Sequence, residues 1–193
     1  MMKIAIIVGS TRPGRNGIAV GKWFHEQVKK RKDVSYELVD IQEFDLPFLD
    51  EPKSPMQGNY QQPHTKKWSK KIDPFDAFIL VTPEYNHGTS AALKNALDFL
   101  YKEWNNKPVG FVSYGSDNGT RAVEQLRQVI VELQMASIRT QLALSLYEDF
   151  EKFTKFQPRA QHKKKIAELC DQLELWANGF ARIRKIKEAA ERD

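Results

Sequence analysis

Three short stretches carry the side chains best suited to chemistry. Gly9 to Gly17 reads Gly-Ser-Thr-Arg-Pro-Gly-Arg-Asn-Gly, Thr82 to Gly88 reads Thr-Pro-Glu-Tyr-Asn-His-Gly, and Ser113 to Thr120 reads Ser-Tyr-Gly-Ser-Asp-Asn-Gly-Thr. The first sits directly before a helical pattern (Ile18, Val20, Phe24, Val28). Hydroxyls and backbone N–H groups at a helix N-terminus suit a phosphate, glycine lets the backbone approach it, and arginine adds charge-assisted hydrogen bonds. Two arginines in so tight a turn also need counter-charge. Neither familiar phosphate motif is present. A P-loop has Lys then Ser or Thr after its last glycine, whereas Gly17 is followed by Ile18 and Ala19. The dinucleotide fingerprint Gly-x-Gly-x-x-Gly does not fit the spacing of Gly9, Gly14 and Gly17. A monophosphate suits the loop better, and an ordinary strand-to-helix turn is the competing reading.

The elements around these loops explain why they matter together. Lys3–Val8 and Ala77–Val81 are short apolar runs, as expected of central parallel strands buried on both faces. Val34–Val39, Lys107–Ser113 and Ile138–Leu144 supply three more strands. Helical spacing appears in Ile18–Val28, His64–Ile72, Thr89–Leu100, Val123–Leu133 and, in the tail, Ile166–Ile183. The expectation is an α/β fold, a doubly wound five-stranded parallel sheet of strand order 2-1-3-4-5 with helices on both faces. In that order the loops after the first, third and fourth strands meet at one edge, where such sheets bind ligands. Ile41–Pro63 has no sustained period and is expected over the site or at a subunit contact, with disorder after Asp50 as the alternative.

The 193 residues favour one domain, residues 1–193, with a charged helical extension from about residue 182. Hydrophobic residues make up 41% and charged residues 28%, which argues for a folded chain rather than a disordered one. No apolar run approaches the roughly 20 residues of a membrane span, and no signal peptide is evident, so a cytoplasmic location is expected. The single cysteine, Cys170, excludes an internal disulfide and a cysteine-based zinc site, and its apolar neighbours Ile166, Leu169 and Leu173 point to packing. The net charge of +5 would permit nucleic-acid binding. Its clusters at 163–165 and 182–187 are interleaved with apolar residues at helical spacing, however, and read mainly as a solvated helix face.

Gly9-Ser10-Thr11-Arg12 with Asn16-Gly17-Ile18, Thr82-Pro83-Glu84-Tyr85-Asn86 with Ala92-Leu93-Lys94-Asn95-Ala96-Leu97-Asp98, and Val112-Ser113-Tyr114-Gly115 resemble the motifs of the NAD(P)H-dependent FMN reductases. These are flavodoxin-like flavoproteins that include quinone, chromate and azo-dye reductases. The resemblance covers roughly Lys3 to Leu146 and implies bound FMN with NADPH or NADH as co-substrate. It places Ser10, Arg12, Asn16, Gly17 and Ile18 around the FMN phosphate. Pro83, Glu84, Tyr85 and Asn86 would line the isoalloxazine, and Ser113, Tyr114 and Gly115 would close its pyrimidine side. It also implies a homodimer or homotetramer, with the helix after Asn86 at the interface. No catalytic side chain and no metal are called for, because the cofactor carries the chemistry. The expected activity is hydride transfer from NAD(P)H through FMN to a small acceptor such as a quinone, flavin, azo compound or metal ion. A flavodoxin-like electron carrier, or a flavin-dependent redox-responsive interaction protein, is the alternative. Ser116, Asp117 and Asn118 stand where many relatives are richer in glycine, and His87 is either a substrate contact or a solvent-facing loop residue.

Overall fold

A computed structural model describes residues 1–190 of the chain. Strands β1 (Met2–Val8) and β3 (Ala77–Pro83) are apolar on both faces, so only the middle of a covered parallel sheet can bury them. They lie there side by side. The sheet is completed by β2 (Val34–Asp40), β4 (Pro108–Gly115) and β5 (Ala136–Ser145), all parallel, in the order β2-β1-β3-β4-β5. This is the expected doubly wound sheet.

The two-residue period of a strand divides its side chains between two cores. Ala5, Ile7, Phe78, Leu80 and Phe111 face α2 (Pro63–Ile72), α3 (Ala91–Asp98) and α4 (Thr120–Glu132). Ile4, Ile6, Ile79, Val81 and Val112 face α1 (Gly17–Val28) and α5 (His162–Ala190). Trp68 and Trp104 are fully buried in the first core, and each satisfies its indole N–H on a backbone carbonyl, Ala96 O at 2.9 Å and Leu97 O at 3.1 Å. Cys170 is buried in the second core, where burial pushes its thiol pKa up to about 11.

Helix α3 is shorter than the apolar spacing from Thr89 to Leu100 suggests. Ser90 caps its start by accepting from Leu93 N at 3.1 Å, and the chain leaves the helix at Phe99 to turn Trp104 back into the core. The 41–63 segment contains 3₁₀ turns at Ile41–Phe44 and Pro55–Gln57. The Glu51 carboxylate closes its far end by accepting from Gln61 N and Gln62 N, at 2.8 and 3.0 Å. Asn95 clamps its near end, donating to Pro47 O at 2.6 Å and accepting from Leu49 N at 3.1 Å.

After β5 comes an unexpected hairpin, β6 (Phe150–Glu151) and β7 (Lys155–Phe156). Helix α5 then runs without a break into the expected extension as far as Ala190. Arg184 within it donates to Asn106 O at 3.0 Å and pairs with Asp76 at 2.6 Å, while Glu191–Asp193 of that extension lie outside the described residues. No described helix is long and apolar enough to cross a membrane.

Candidate active site

The loops after β1, β3 and β4 converge at the carboxyl edge of the sheet and are tied together before any ligand is considered. Gly9 N donates to Val81 O at 2.8 Å, the Ser90 hydroxyl donates to Gly9 O, and Glu84 N donates to Tyr114 O at 2.9 Å. The loop after β3 closes on itself as Tyr85 and Gly88 exchange two backbone hydrogen bonds, at 2.9 and 3.1 Å. Asn86 and His87 occupy the turn between them at φ +49° and +73°, both exposed.

A cleft of about 310 Å³ opens between the loops. Of the residues singled out in the sequence, Arg12, Asn16, Pro83, Glu84, Tyr85, Tyr114 and Gly115 line it. Ser10 and Gly17 lie buried behind it: the Ser10 hydroxyl is 3.4 Å from the Tyr114 hydroxyl, and a Cβ built on Gly17 would stand 2.8 Å from that same oxygen. Only glycine lets α1 start this close to Tyr114. Ile18, Asn86 and Ser113 are not on the cleft wall; Ser113 is buried within β4 and donates to Asn118 O at 2.8 Å. A larger hollow of about 480 Å³ lies at the opposite edge, between Tyr101, Asn106 and Arg184, where no strand-end loops converge.

The electrostatics sort the two arginines. Arg15 is turned inward: it forks onto the Asp40 carboxylate and donates to Ser10 O, so Asp40 at the end of β2 is the counter-charge the loop needed. Its guanidinium holds the loop and is not available to attract a cofactor phosphate. Arg12 stays exposed, its guanidinium 5.9 Å from the centre of the Tyr85 ring. No side chain caps α1, and its first turn carries no acidic residue. The result is a positive helix end with a free arginine beside it. Glu84, whose side chain is almost wholly buried, binds Arg121 at the start of α4, receiving its backbone N–H at 3.1 Å and its Nε at 2.5 Å. That pairing fixes the floor of the cleft. Burial raises the Tyr114 phenol to about 12, against the weaker opposing effect of Ser10, so it is a neutral donor at physiological pH.

A model of the NADPH-dependent FMN reductase family matches residues 2–149. The chain belongs to that family. It is 41% identical over 169 residues to an NAD(P)H-dependent FMN reductase of Schizosaccharomyces pombe, covering 86% of this chain and 84% of that protein. An NAD(P)H:quinone oxidoreductase of Solanum tuberosum is 31% identical over 159 residues, covering 79% and 80% of the two chains. The fold matches that of FerB, an NAD(P)H:(acceptor) oxidoreductase of Paracoccus denitrificans, with TM-score 0.71 at 19% identity over 93% of this chain and 99% of that one.

The site of this family member fits FMN on its own chemistry. An uncapped helix N-terminus beside a free arginine suits a dianionic phosphate, and a cleft walled by Pro83, Tyr85 and Leu146 suits a flat ring system. Three lining residues were not singled out in the sequence: Leu146, Phe153 and Thr154, from β5's exit and the hairpin. The only cue there was the recurrence of Phe150, Phe153 and Phe156.

Proposed function

We propose that this chain is an FMN-dependent oxidoreductase that passes a hydride from NAD(P)H to a small acceptor of the quinone, flavin, azo or metal-ion kind. The observation that carries the reading is the convergence of Arg12, Asn16, Pro83, Tyr85, Tyr114 and Gly115 on one cleft at the carboxyl edge of the sheet. Bound FMN would supply the electron-transfer chemistry. The protein's residues bind and orient. Arg12 and the N-terminus of α1 hold the phosphate, with Ser10 and Gly17 shaping the floor beneath it. Pro83 and Tyr85 form one wall of the ring site, and the Tyr114 hydroxyl remains protonated. Gly115 lets the loops after β3 and β4 meet closely, since a Cβ there would stand 3.0 Å from Glu84 Cβ and 3.1 Å from Gly119 N. Ile18, Asn86 and Ser113 act from outside the wall, as supports of the loops that make it.

The chain reads as one domain, because α5 packs on the same sheet as α1. A homodimer or homotetramer is supported by the exposed Phe48 and Leu49, held by Asn95 against the face of α3. Light scattering after gel filtration reads the assembly; a monomeric mass would refute it. A cytoplasmic location accords with a lone, buried, unpaired cysteine.

The test of the site is Arg12→Glu. Reversing the charge at the mouth of an uncapped helix end should abolish copurifying flavin and weaken FMN binding at least about 100-fold, while the fold, in which Arg12 is exposed, survives. Stoichiometric flavin retained in that variant would refute the phosphate assignment.

A further inference from the structure

The family match ends at Asp149, and there the chain turns into the β6–β7 hairpin. Thr154 N donates to Glu151 O at 3.2 Å, and the two residues between them, Lys152 and Phe153, stand at φ +50° and +61°. The register pairs Glu151 with Lys155, leaving a three-residue loop, and positive φ favours glycine or asparagine, so Lys152 and above all the bulky Phe153 are held there against their backbone preference. Strain of this kind persists only where the surroundings impose it, and it collects at functional sites.

The surroundings do impose it. At the base, the fully buried Asp149 carboxylate receives Ser145 N at 2.9 Å, Arg159 Nε at 3.0 Å and His162 Nε2 at 2.7 Å, and Gln157 N donates to Asp149 O at 2.7 Å. In the middle, Phe150 and Phe156 pack at 4.9 Å, with Phe156 edge-on to Trp23 at 5.3 Å. At the tip, Asn16 Nδ2 donates to Phe153 O at 2.8 Å, tying the turn to the first loop of the site. What this rigid, strained turn presents is an aromatic ring. Phe153 lines the cleft yet is 53% exposed, and its outer neighbour Tyr147, 68% exposed, meets it edge to face at 5.4 Å. Folding gains little from two large rings left in water, whereas a flat ring entering the cleft would gain from both.

We propose that Phe153 and Tyr147 form a subsite for a planar aromatic ring at the mouth of the cleft, and that Phe153 determines specificity for it. The inference rests on the reading of the cleft as the flavin site. The ring is either the nicotinamide of the donor or the ring of a quinone acceptor, and the two are separable by experiment.

Phe153→Gly removes the ring while giving the turn a residue that accepts positive φ, so its melting temperature should equal or exceed that of the wild type. With FMN affinity within about twofold by fluorescence titration, one of two changes is expected, each about 5- to 10-fold as for loss of an aromatic pair. If the acceptor ring occupies the subsite, KM for a naphthoquinone rises and the ratio of kcat/KM for naphthoquinone over ferricyanide falls. If the nicotinamide occupies it, the equilibrium Kd for NADP⁺, read from the flavin absorption, rises instead. Tyr147→Ala should move the same quantity in the same direction. The proposal is overturned if both quantities stay at wild-type values, or if Phe153→Gly weakens FMN itself, which would make the hairpin a clasp on the cofactor. A wild-type protein that takes up no FMN would instead overturn the cofactor reading, before any variant is made.

Discussion

Gly17 and Arg15 show how much of the site is decided by single side chains, one absent and one occupied. A methyl group at position 17 would push against both the Ser10 and the Tyr114 hydroxyls, the latter at 2.8 Å, and neither can retreat because both are buried. Gly17→Ala should therefore cost about 1–3 kcal/mol, the usual range for overpacking. At about 2–4 °C per kcal/mol for a chain of this size, that is a visible drop in a thermal melt, accompanied by weaker FMN uptake in a titration. An unchanged melt and titration would mean that α1 can shift, and that the closeness of the helix start to Tyr114 is not essential. Arg15 carries the complementary lesson. In the sequence its neighbour Arg12 is its equal, and nothing local distinguishes the residue left exposed at the cleft from the one that meets Asp40, 25 positions away. Glu84 and Arg121 pose the same problem across 37 positions. Residue types named the site; long-range ion pairs assigned the roles, and those pairs exist only once the sheet has brought its strand ends together.

Among the elements, those with a sustained apolar period were legible and those without were not. β1 and β3 announce themselves because both faces are apolar, and the loops that follow them inherit their position from strand order alone. The β6–β7 hairpin could not be read in this way. Its strands are two residues long, and the turn carries Lys152 and Phe153 in place of the glycine or asparagine that usually signals one. Helix α3 stops at Asp98 although Phe99 and Leu100 continue its apolar spacing, because both are buried equally well in the turn that seats Trp104. That same turn leads to Lys107, which is buried just before β4 with its ammonium donating to Asp73 O at 2.8 Å. Burial lowers its pKa to about 8, so between pH 8 and the unfolded value of 10.5 the unfolded chain holds a proton that the folded one has released. Stability from this group must then rise with pH across that window, by at most about 3 kcal/mol. Urea unfolding of the wild type and Lys107→Met should diverge accordingly. The stability of the wild type relative to the variant should increase from pH 7.5 to 10.5, and a difference flat in pH would show that Lys107 keeps its proton when folded.

At the scale of the whole molecule, the sheet converts three separated loops into one cleft, whose inner wall shares Tyr114 with the second core. The exposed Arg12 and the aromatic pair at the mouth can be altered without touching either core. Part of the tail's positive charge is spent on docking α5, whose Arg184 binds Asp76, and α5 in turn receives Arg31, from the turn after α1, on Asp171 and Glu174. The distinction between an oxidoreductase with its own nicotinamide site and an electron carrier that awaits a protein partner lies in one half-reaction. The deciding measurement is the absorption spectrum of the FMN-loaded protein under anaerobic conditions, before and after addition of NADPH or NADH. Flavin bands that bleach within the mixing time of a stopped-flow experiment, with no other protein present, are the expected result. A flavin that binds stoichiometrically but stays oxidised with either nucleotide would contradict the reductase assignment and leave an electron carrier in its place.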